Sequence, residues 1–189
     1  MTTPPVYPCL FLDRDGVIIE DVPYLKDPAG VRLFEGIIPI ISWARSRCWR
    51  VVVATNQSGI ARGYFNEEDY KKVNQKISQL LSDRGSFIDA WYHCPYHGNN
   101  HPLWAAEKDS RKPAPGMFLK AEREMNLDLN RSIMLGDKKS DVINFNGLYP
   151  NFKTYLIKGK YSLDNISQEI IFANHLCLLD FLQKIDRFL

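Results

Sequence analysis

Two aspartates separated by one residue carry the clearest chemistry in this sequence. Asp13 and Asp15 follow the apolar run 9–12 and precede Gly16. Residues two apart on an extended chain point to the same side, so we expect the two carboxylates to converge. A divalent cation would relieve their repulsion, or one could act as a nucleophile while the other moves a proton. A plain turn is the common alternative, but the preceding apolar run and the following Gly16 favour a functional pair.

A hydroxyl and a glycine follow a second apolar run. Residues 51–54 read Val-Val-Val-Ala, and residues 55–59 read Thr-Asn-Gln-Ser-Gly. A hydroxyl and backbone N–H groups at the end of a strand can hold a phosphate. A helix cap or a turn explains the same residues equally well, so this segment alone leaves both interpretations open.

Further charged residues complete the pattern. Asp137 and Asp141 follow the apolar run 133–135 and can add carboxylates to a site for a hard cation, although a solvated turn is the alternative. Arg111 and Lys112 precede a proline and can grip a phosphate, although most such pairs are solvated. Together the acids, the hydroxyl and the lysine predict Mg²⁺-assisted phosphoryl transfer.

Short apolar runs alternate with helix-like segments, and this alternation must position these groups. It predicts an α/β fold, a Rossmann-like open parallel sheet flanked by helices, with ligands beyond the carboxyl ends of the strands. The predicted strands are 9–12, 51–54 and 133–135, with weaker candidates at 87–92 and 154–157. The predicted helices are 36–47, 66–83, 115–126 and 176–188.

The length of 189 residues fits one domain, residues 1–189. The stretch 93–114 is rich in Pro, His, Gly and Asn and predicts a loop insertion. No insertion of many tens of residues separates the predicted strands, so we expect no large cap domain.

Composition excludes several classes of protein. Lys and Arg total 24 and Asp and Glu total 22, and this net charge of +2 gives no support for nucleic acid or a membrane surface as a partner. No apolar run approaches the roughly 20 residues of a membrane span, and the first residues do not read as a secretory signal. The four scattered cysteines argue against disulfides, and we expect Cys9, Cys48 and Cys177 in the core. These observations predict a cytoplasmic protein, and nothing demands more than a monomer.

The four charged and polar segments, in this order and spacing, resemble the haloacid dehalogenase (HAD) superfamily of phosphohydrolases. Within it they are most similar to the D-glycero-D-manno-heptose 1,7-bisphosphate 7-phosphatases, with the histidinol-phosphate phosphatases as close relatives. The similarity extends from about residue 9 to residue 159, and the stretch TNQSGIARG at 55–63 is its most specific part.

The resemblance implies roles for the polar residues. Asp13 would attack phosphorus and become an aspartyl phosphate. Asp15 would protonate the leaving oxygen and then deprotonate the hydrolytic water. Asp13, Asp137 and the backbone carbonyl of Asp15 would bind Mg²⁺. Thr55 and Lys112 would hold the transferring phosphoryl group.

The resemblance also implies a set of substrate-binding residues. Asp21 and Tyr24 correspond to a substrate-contacting loop, although Val22 and Pro23 between them depart from the family pattern. Lys138 would orient the acidic site. The whole expected set is Asp21, Tyr24, Asn56, Gln57, Ser58, Arg111 and Lys138.

The implied activity is a Mg²⁺-dependent phosphatase for a small phosphorylated sugar. The most specific expectation is removal of the 7-phosphate of a heptose 1,7-bisphosphate, in the synthesis of nucleotide-activated heptose for lipopolysaccharide. Histidinol phosphate or another small phosphomonoester is the alternative. A non-catalytic binding module is a third hypothesis, but it predicts loss of a catalytic carboxylate, and Asp13, Asp15 and Asp137 are all present.

One family feature is largely missing. The family usually carries a zinc loop, Cys-x-His followed by Cys-x-Cys before Arg-Lys-Pro. Here Cys94 matches the first ligand, but Tyr96, Lys108 and Ser110 stand at the other three positions. A closed tetrahedral site needs four ligands, so we expect no structural zinc. An improvised site from His93, Cys94, His97 and His101 is the alternative to a metal-free loop held by Trp91, Tyr92 and Trp104.

Overall fold

A six-stranded parallel sheet forms the centre of the computed structural model, which describes residues 5–98 and 102–185. The strands are β1 (Cys9–Leu12), β2 (Arg50–Asn56), β3 (Ala90–Cys94), β4 (Ile133–Gly136), β5 (Lys153–Ile157) and β6 (Ile171–Phe172). Their spatial order is β3-β2-β1-β4-β5-β6. The predicted open parallel sheet is therefore confirmed, and the described residues form no large cap.

Helices cover both faces of the sheet. They are α1 (Ile37–Arg45), α2 (Ser58–Ala61), α3 (Glu67–Ser82), α4 (Gly116–Met125) and α5 (His175–Ile185). Successive strand residues point to opposite faces, so Leu10 and Leu12 pack with α1, α3 and α5, whereas Phe11 packs with α4. Both faces are buried, which explains why the central strands read as continuous apolar runs.

The predicted elements differ from the observed ones mainly at the edges of the fold. The strand predicted at 87–92 begins only at Ala90, and Phe87 is exposed. The two-residue strand β6 was not predicted, because so short a run has no recognisable pattern. The long loop holds a 3₁₀ helix at Pro102–Ser110, and α5 begins at His175, with positions 186–188 outside the described residues.

Two of the cysteine predictions were wrong. Cys9 is buried as expected, but Cys48 and Cys177 are exposed. Cys48 has a φ of +59° in the turn between α1 and β2, so its side chain is not carried by either element. Among the described residues no helix is long and apolar enough to cross a membrane.

The arrangement of β1, β2 and β4 positions the polar residues. β1 pairs with β2 on one side and with β4 on the other. The chain order reverses direction between β1 and β4, and ligands of open α/β sheets bind at such a point. The residues that follow these three strands therefore share one edge of the sheet.

Candidate active site

Three buried carboxylates meet at this edge. Asp13 follows β1, Asp137 follows β4, and Asp141 ends the short 3₁₀ helix Lys139–Asp141. Each offers a ligand atom, and these atoms lie within 4.8 Å of one another. Such a cluster of oxygen donors suits a hard divalent cation.

Hydrogen bonds with β4 and with Asp141 hold the backbone around the cluster in place. The Asp13 N–H donates to the carbonyl of Leu135 at 2.9 Å, which extends the β1–β4 pairing by one residue. One oxygen of Asp141, Oδ2, accepts hydrogen bonds from the N–H groups of Asp137 and Lys138 at 3.1 and 3.0 Å. Asp141 therefore shapes the turn that presents Asp137.

The residue after the two aspartates, Gly16, must be a glycine because the chain passes close to Asp137 at this point. Its φ is +87°, and a Cβ at this position would lie 2.1 Å from Oδ2 of Asp137. Any side chain would therefore collide with the carboxylate from the neighbouring strand. The glycine allows the chain after β1 to approach Asp137 closely.

Lys112 neutralises part of this buried charge. Its Nζ lies 3.1 Å from Oδ1 of Asp13 and 2.6 Å from Oδ1 of Asp141, and Lys112 is only 2% exposed. Burial by itself would lower the pKa of Lys112, but the two carboxylates raise it above its ordinary value. Asn56 fixes the lysine's backbone, because its side-chain amide accepts from the Lys112 N–H at 3.0 Å and donates to the Lys112 carbonyl at 3.1 Å.

Lys138 is the second cation at the cluster. Its Nζ lies 3.8 Å from Asp13, 3.5 Å from Asp137 and 3.5 Å from Asp21. Burial alone would lower the pKa of Lys138, but Asp13, Asp137 and Asp21 raise it well above its usual value. Burial also works against the charge on Asp13, but Lys112 and Lys138 hold the pKa of that carboxyl below its ordinary value. Asp13 is therefore ionised, as a nucleophile must be.

Asp137 is the carboxylate with the least support from the protein. Neither of its oxygens receives a hydrogen bond from the residues that the structure describes. Burial raises the pKa of Asp137 to about 7; Lys138 opposes this rise, and Asp13 and Asp141 add to it. A buried carboxylate that, among the described residues, accepts no hydrogen bond and has only a 3.5 Å ion pair with Lys138 fits a divalent cation as a further partner.

Asp15 points to a different set of partners. Arg14 donates to both of its carboxylate oxygens at 3.0–3.3 Å, and Gln57 Nε2 donates to Oδ2 at 2.9 Å. Its side chain is therefore not part of the three-carboxylate cluster, which Asp141 completes instead. The role that the resemblance gives to the carbonyl of Asp15 is a separate matter and stays a prediction.

Gln57 connects Asp15 with the end of β2. Its Nε2 also donates to the hydroxyl oxygen of Thr55 at 2.9 Å, and its Oε1 accepts from Arg14 at 3.0 Å. Thr55 and Gln57 are both buried. The side-chain amide of Gln57 thus fixes the Thr55 hydroxyl relative to Asp15, to which the resemblance assigns the proton transfer.

A cavity of about 330 Å³ opens beside these groups. The residues that the resemblance marks for substrate binding all line it: Asp21, Tyr24, Asn56, Gln57, Ser58, Arg111 and Lys138. Asp15, Arg14 and Tyr161 line it as well. The structure therefore brings these predicted residues to one cavity, and their role in substrate binding stays a prediction. Both ends of the Asn56 side-chain amide bond to the Lys112 backbone.

Some residues of the site were missed by the sequence analysis. Asp141 was noted beside Asp137 but not assigned as a ligand, and its place four residues later was the available signal. Arg14 lies between the two aspartates and is almost fully buried. Lys160 and Tyr161 contact Asp21 across 139 and 140 residues, and nothing local in the sequence marks them.

The candidate zinc ligands of the 93–114 loop have other partners. His93 lies 3.0 Å from Glu67, the Cys94 thiol donates to the Glu107 carbonyl at 3.3 Å, and His97 lies 3.0 Å from Arg62. His101 and the Trp104 side chain lie outside what the structure describes. The described residues contain no metal-ligand cluster other than the three aspartates.

We expect the purified protein to contain no stoichiometric zinc. The reason is that the described candidate ligands point to separate partners, whereas a tetrahedral site needs four that converge. Elemental analysis of protein purified without chelators measures this directly. One zinc atom per chain would show that the loop is a metal site after all.

Comparisons with known proteins define the family. A model of the polynucleotide kinase 3 phosphatase family matches residues 26–177. A D-glycero-beta-D-manno-heptose-1,7-bisphosphate 7-phosphatase of Mesorhizobium japonicum is 44% identical over 140 residues, which are 74% of this chain and 64% of that protein. The protein of the same name from Pasteurella multocida is 38% identical over 134 residues, 71% of this chain and 73% of its own. The chain belongs to the heptose bisphosphate 7-phosphatase family.

Solved structures agree with the HAD-like fold. A Mesorhizobium loti protein described as an HAD-like phosphatase is 36% identical, with a TM-score of 0.81 over 99% of this chain and 90% of that one. A D,D-heptose 1,7-bisphosphate phosphatase of B. bronchiseptica, solved with magnesium and phosphate, has a TM-score of 0.73 at 24% identity, covering 94% and 98% of the two chains. At that identity the second structure supports the fold alone. The chain matches just under two thirds of the Mesorhizobium japonicum relative, although nearly three quarters of the Pasteurella one.

Proposed function

We propose that this heptose bisphosphate 7-phosphatase family member is a Mg²⁺-dependent phosphatase that works through an aspartyl phosphate. One observation carries the proposal: the buried Asp13 lies beside two lysines and two further carboxylates, and one of these lysines, Lys138, lines the cavity. Nucleophile, charge-balancing cations and metal donors are the parts that phosphoryl transfer requires. A non-catalytic module would have no use for this arrangement.

The metal site of the proposal uses the carboxylates on the page. Asp13 and Asp137 would hold Mg²⁺ together with the backbone carbonyl of Asp15. When bound, the ion neutralises negative charge on the phosphoryl oxygens. The absence of hydrogen bonds from the described residues to the Asp137 oxygens supports this assignment.

The reaction would proceed in two steps carried by the two aspartates. Asp13 attacks phosphorus, and the sugar oxygen leaves with a proton from Asp15. Asp15 then takes a proton from water, which attacks phosphorus and releases phosphate and free Asp13. Gln57 and Arg14 hold the Asp15 carboxyl at the cavity wall. Thr55 and Lys112 would hold the transferring group, and Lys112 balances the charge of Asp13 throughout.

The substrate that best fits is a small phosphorylated sugar. The cavity is open and modest in size, and Arg111 and Lys138 give it positive charge suited to a second phosphate. The relatives are named for D-glycero-D-manno-heptose 1,7-bisphosphate, and we propose the 7-phosphate of that compound as the group removed. This would place the protein in the cytoplasm, in the synthesis of nucleotide-activated heptose for lipopolysaccharide, acting as a monomer.

A panel of substrates tests the proposal. The panel contains both anomers of the heptose 1,7-bisphosphate, histidinol phosphate, common hexose phosphates and a 3′-phosphorylated oligonucleotide, because the matching family model is named for a polynucleotide phosphatase. We expect kcat/KM for a heptose bisphosphate to exceed that of the others by about 10²-fold or more, since a second phosphate adds charge-assisted bonds. The measurement is the rate of phosphate release from each substrate, with blanks that lack the enzyme.

Chelation is the matched control of this panel. Excess EDTA should stop release from every substrate, and added Mg²⁺ should restore it. A preference for histidinol phosphate would replace the proposed substrate but keep the chemistry. Full rates in EDTA would remove the metal from the mechanism.

A further inference from the structure

Tyr161 joins two residues of the candidate site from a distant part of the chain. It lies on the loop after β5, and its hydroxyl donates to Oδ2 of Asp21 at 2.6 Å. The ammonium of Lys138 lies 4.7 Å from the centroid of the Tyr161 ring and 3.5 Å from the same Oδ2. Tyrosine, aspartate and lysine therefore form a closed triangle of contacts.

Lys160 holds Asp21, the aspartate of these three residues, in place. Its Nζ lies 3.2 Å from Oδ1 of Asp21 and donates to the Asp21 backbone carbonyl at 2.7 Å. Burial raises the pKa of Asp21, but the hydroxyl of Tyr161 and the lysines outweigh it and hold the pKa below its ordinary value. Asp21 is thus an anchored anion, with both oxygens taken by this loop and by Lys138.

Lys138, the lysine of these three residues, faces the carboxylates of the candidate active site. Lys138 Nζ lies 3.8 Å from Asp13 and 3.5 Å from Asp137, and about a quarter of its side chain is exposed. A lysine side chain has about 2 kcal/mol of rotamer entropy, so it does not stay in one place unless something restrains it. A ring face on one side and an anchored carboxylate on another supply that restraint.

We propose that Tyr161 is a positioning residue that holds the Lys138 ammonium beside Asp13 and Asp137. The inference rests on the proposed function, in which the charge near Asp13 changes during phosphoryl transfer. A cation that is already in place when this charge develops lowers the barrier, whereas a mobile one must first be ordered. Tyr161 is 41% exposed, so its role is not that of a core residue.

Two substitutions separate the hydroxyl from the ring. Tyr161→Phe removes the hydrogen bond to Asp21 but keeps the ring beneath Lys138, and we expect kcat to fall by about 3-fold. Tyr161→Leu removes the hydrogen bond and the contacts of the ring with Lys138 and, at 5.5 Å, with Lys160, and we expect kcat to fall by about 10- to 30-fold with a smaller change in KM. The assay is hydrolysis of p-nitrophenyl phosphate, which reports on Asp13 and Lys138 whatever the physiological sugar is.

Tyr149→Phe is the matched control. The Tyr149 hydroxyl also donates to a carboxylate, Glu122, at 2.7 Å, but it packs on the α4 side of the sheet and does not line the cavity. It should leave kcat and KM unchanged. Any loss specific to Tyr161 then reflects its location rather than the removal of a tyrosine hydroxyl.

A double-mutant cycle decides whether Tyr161 acts through Lys138. In a Lys138→Met background, Tyr161→Leu should lower kcat by less than about 2-fold, because the group it positions is gone. Losses that multiply in full, a loss confined to KM, or wild-type kinetics in Tyr161→Leu would each overturn the inference. If the unmodified protein hydrolyses p-nitrophenyl phosphate but no heptose bisphosphate, only the proposed substrate fails. If it hydrolyses no phosphomonoester at all, the proposed function and this inference both fail.

Discussion

We expect Asp13→Asn to lower turnover by at least about 10³-fold, because the amide cannot attack phosphorus and form the aspartyl phosphate. The substitution changes the charge but hardly the size of the side chain. Asp141 still neutralises Lys112 at 2.6 Å, so the buried lysine keeps one carboxylate partner. We therefore expect a folded protein with a cooperative unfolding transition. Steady-state phosphate release and urea unfolding measure the two properties separately.

Asp180→Asn is the control for this experiment. Asp180 is an exposed acid on α5 that forms an ion pair with Lys184 on the same helix, and its loss should change neither property. Hydrolysis by Asp13→Asn at more than a tenth of the normal rate would mean that another group attacks phosphorus.

Lys112→Met should damage both stability and turnover. It leaves Asp13 and Asp141 buried without their shared cation, and removing one partner of a buried ion pair costs about 3–5 kcal/mol of unfolding free energy. It also removes a positive group from beside the nucleophile, which should lower turnover by about 10²- to 10³-fold. Urea unfolding in EDTA and phosphate release in Mg²⁺ measure the two effects.

Three comparisons sharpen the result for Lys112. Lys112→Arg keeps the charge, so it should recover stability more than turnover, because the fork does not match the geometry of a single ammonium. Added Mg²⁺ should raise the stability of Lys112→Met, since the ion takes over part of the charge balance. Lys153→Met, at an exposed position of β5, should behave as wild type. Wild-type stability of Lys112→Met in EDTA would contradict the charge-balance argument.

The sequence alone was sufficient for the part of the site that strand ends build. Asp13, Thr55 and Asp137 each follow an apolar run, and in a parallel sheet the carboxyl ends of neighbouring strands meet at one edge. This general rule needs only the positions of β1, β2 and β4. The central strands were also predictable because they are buried on both faces and read as apolar runs.

Side-chain direction was beyond the same reasoning. Alternation predicted that Asp13 and Asp15 point to the same side, but only Asp13 belongs to the three-carboxylate cluster, and the Asp15 carboxylate accepts hydrogen bonds from Arg14 and Gln57. Asp141 is the third carboxylate of the cluster because a 3₁₀ turn brings it back to the backbone of Asp137. Such turns depend on a few hydrogen bonds rather than on a repeating pattern.

Contacts between distant segments were the least predictable part. Tyr161 reaches Asp21 over 140 residues, and the loop that carries it shows no motif. Lys160 likewise belongs to no motif, and only the fold brings it against Asp21. Only the three-dimensional arrangement reveals these residues as neighbours of the site.

A crystal structure of the protein with Mn²⁺ and phosphate would show whether Asp13 and Asp137 share one metal ion. Mn²⁺ prefers the same oxygen ligands as Mg²⁺, and its anomalous scattering locates it without ambiguity. We expect one strong peak bound by carboxylate oxygens of both Asp13 and Asp137, with phosphate between the ion and Lys112. A peak that Asp13 and Asp137 do not share, or a phosphate bound away from this edge of the sheet, would contradict it.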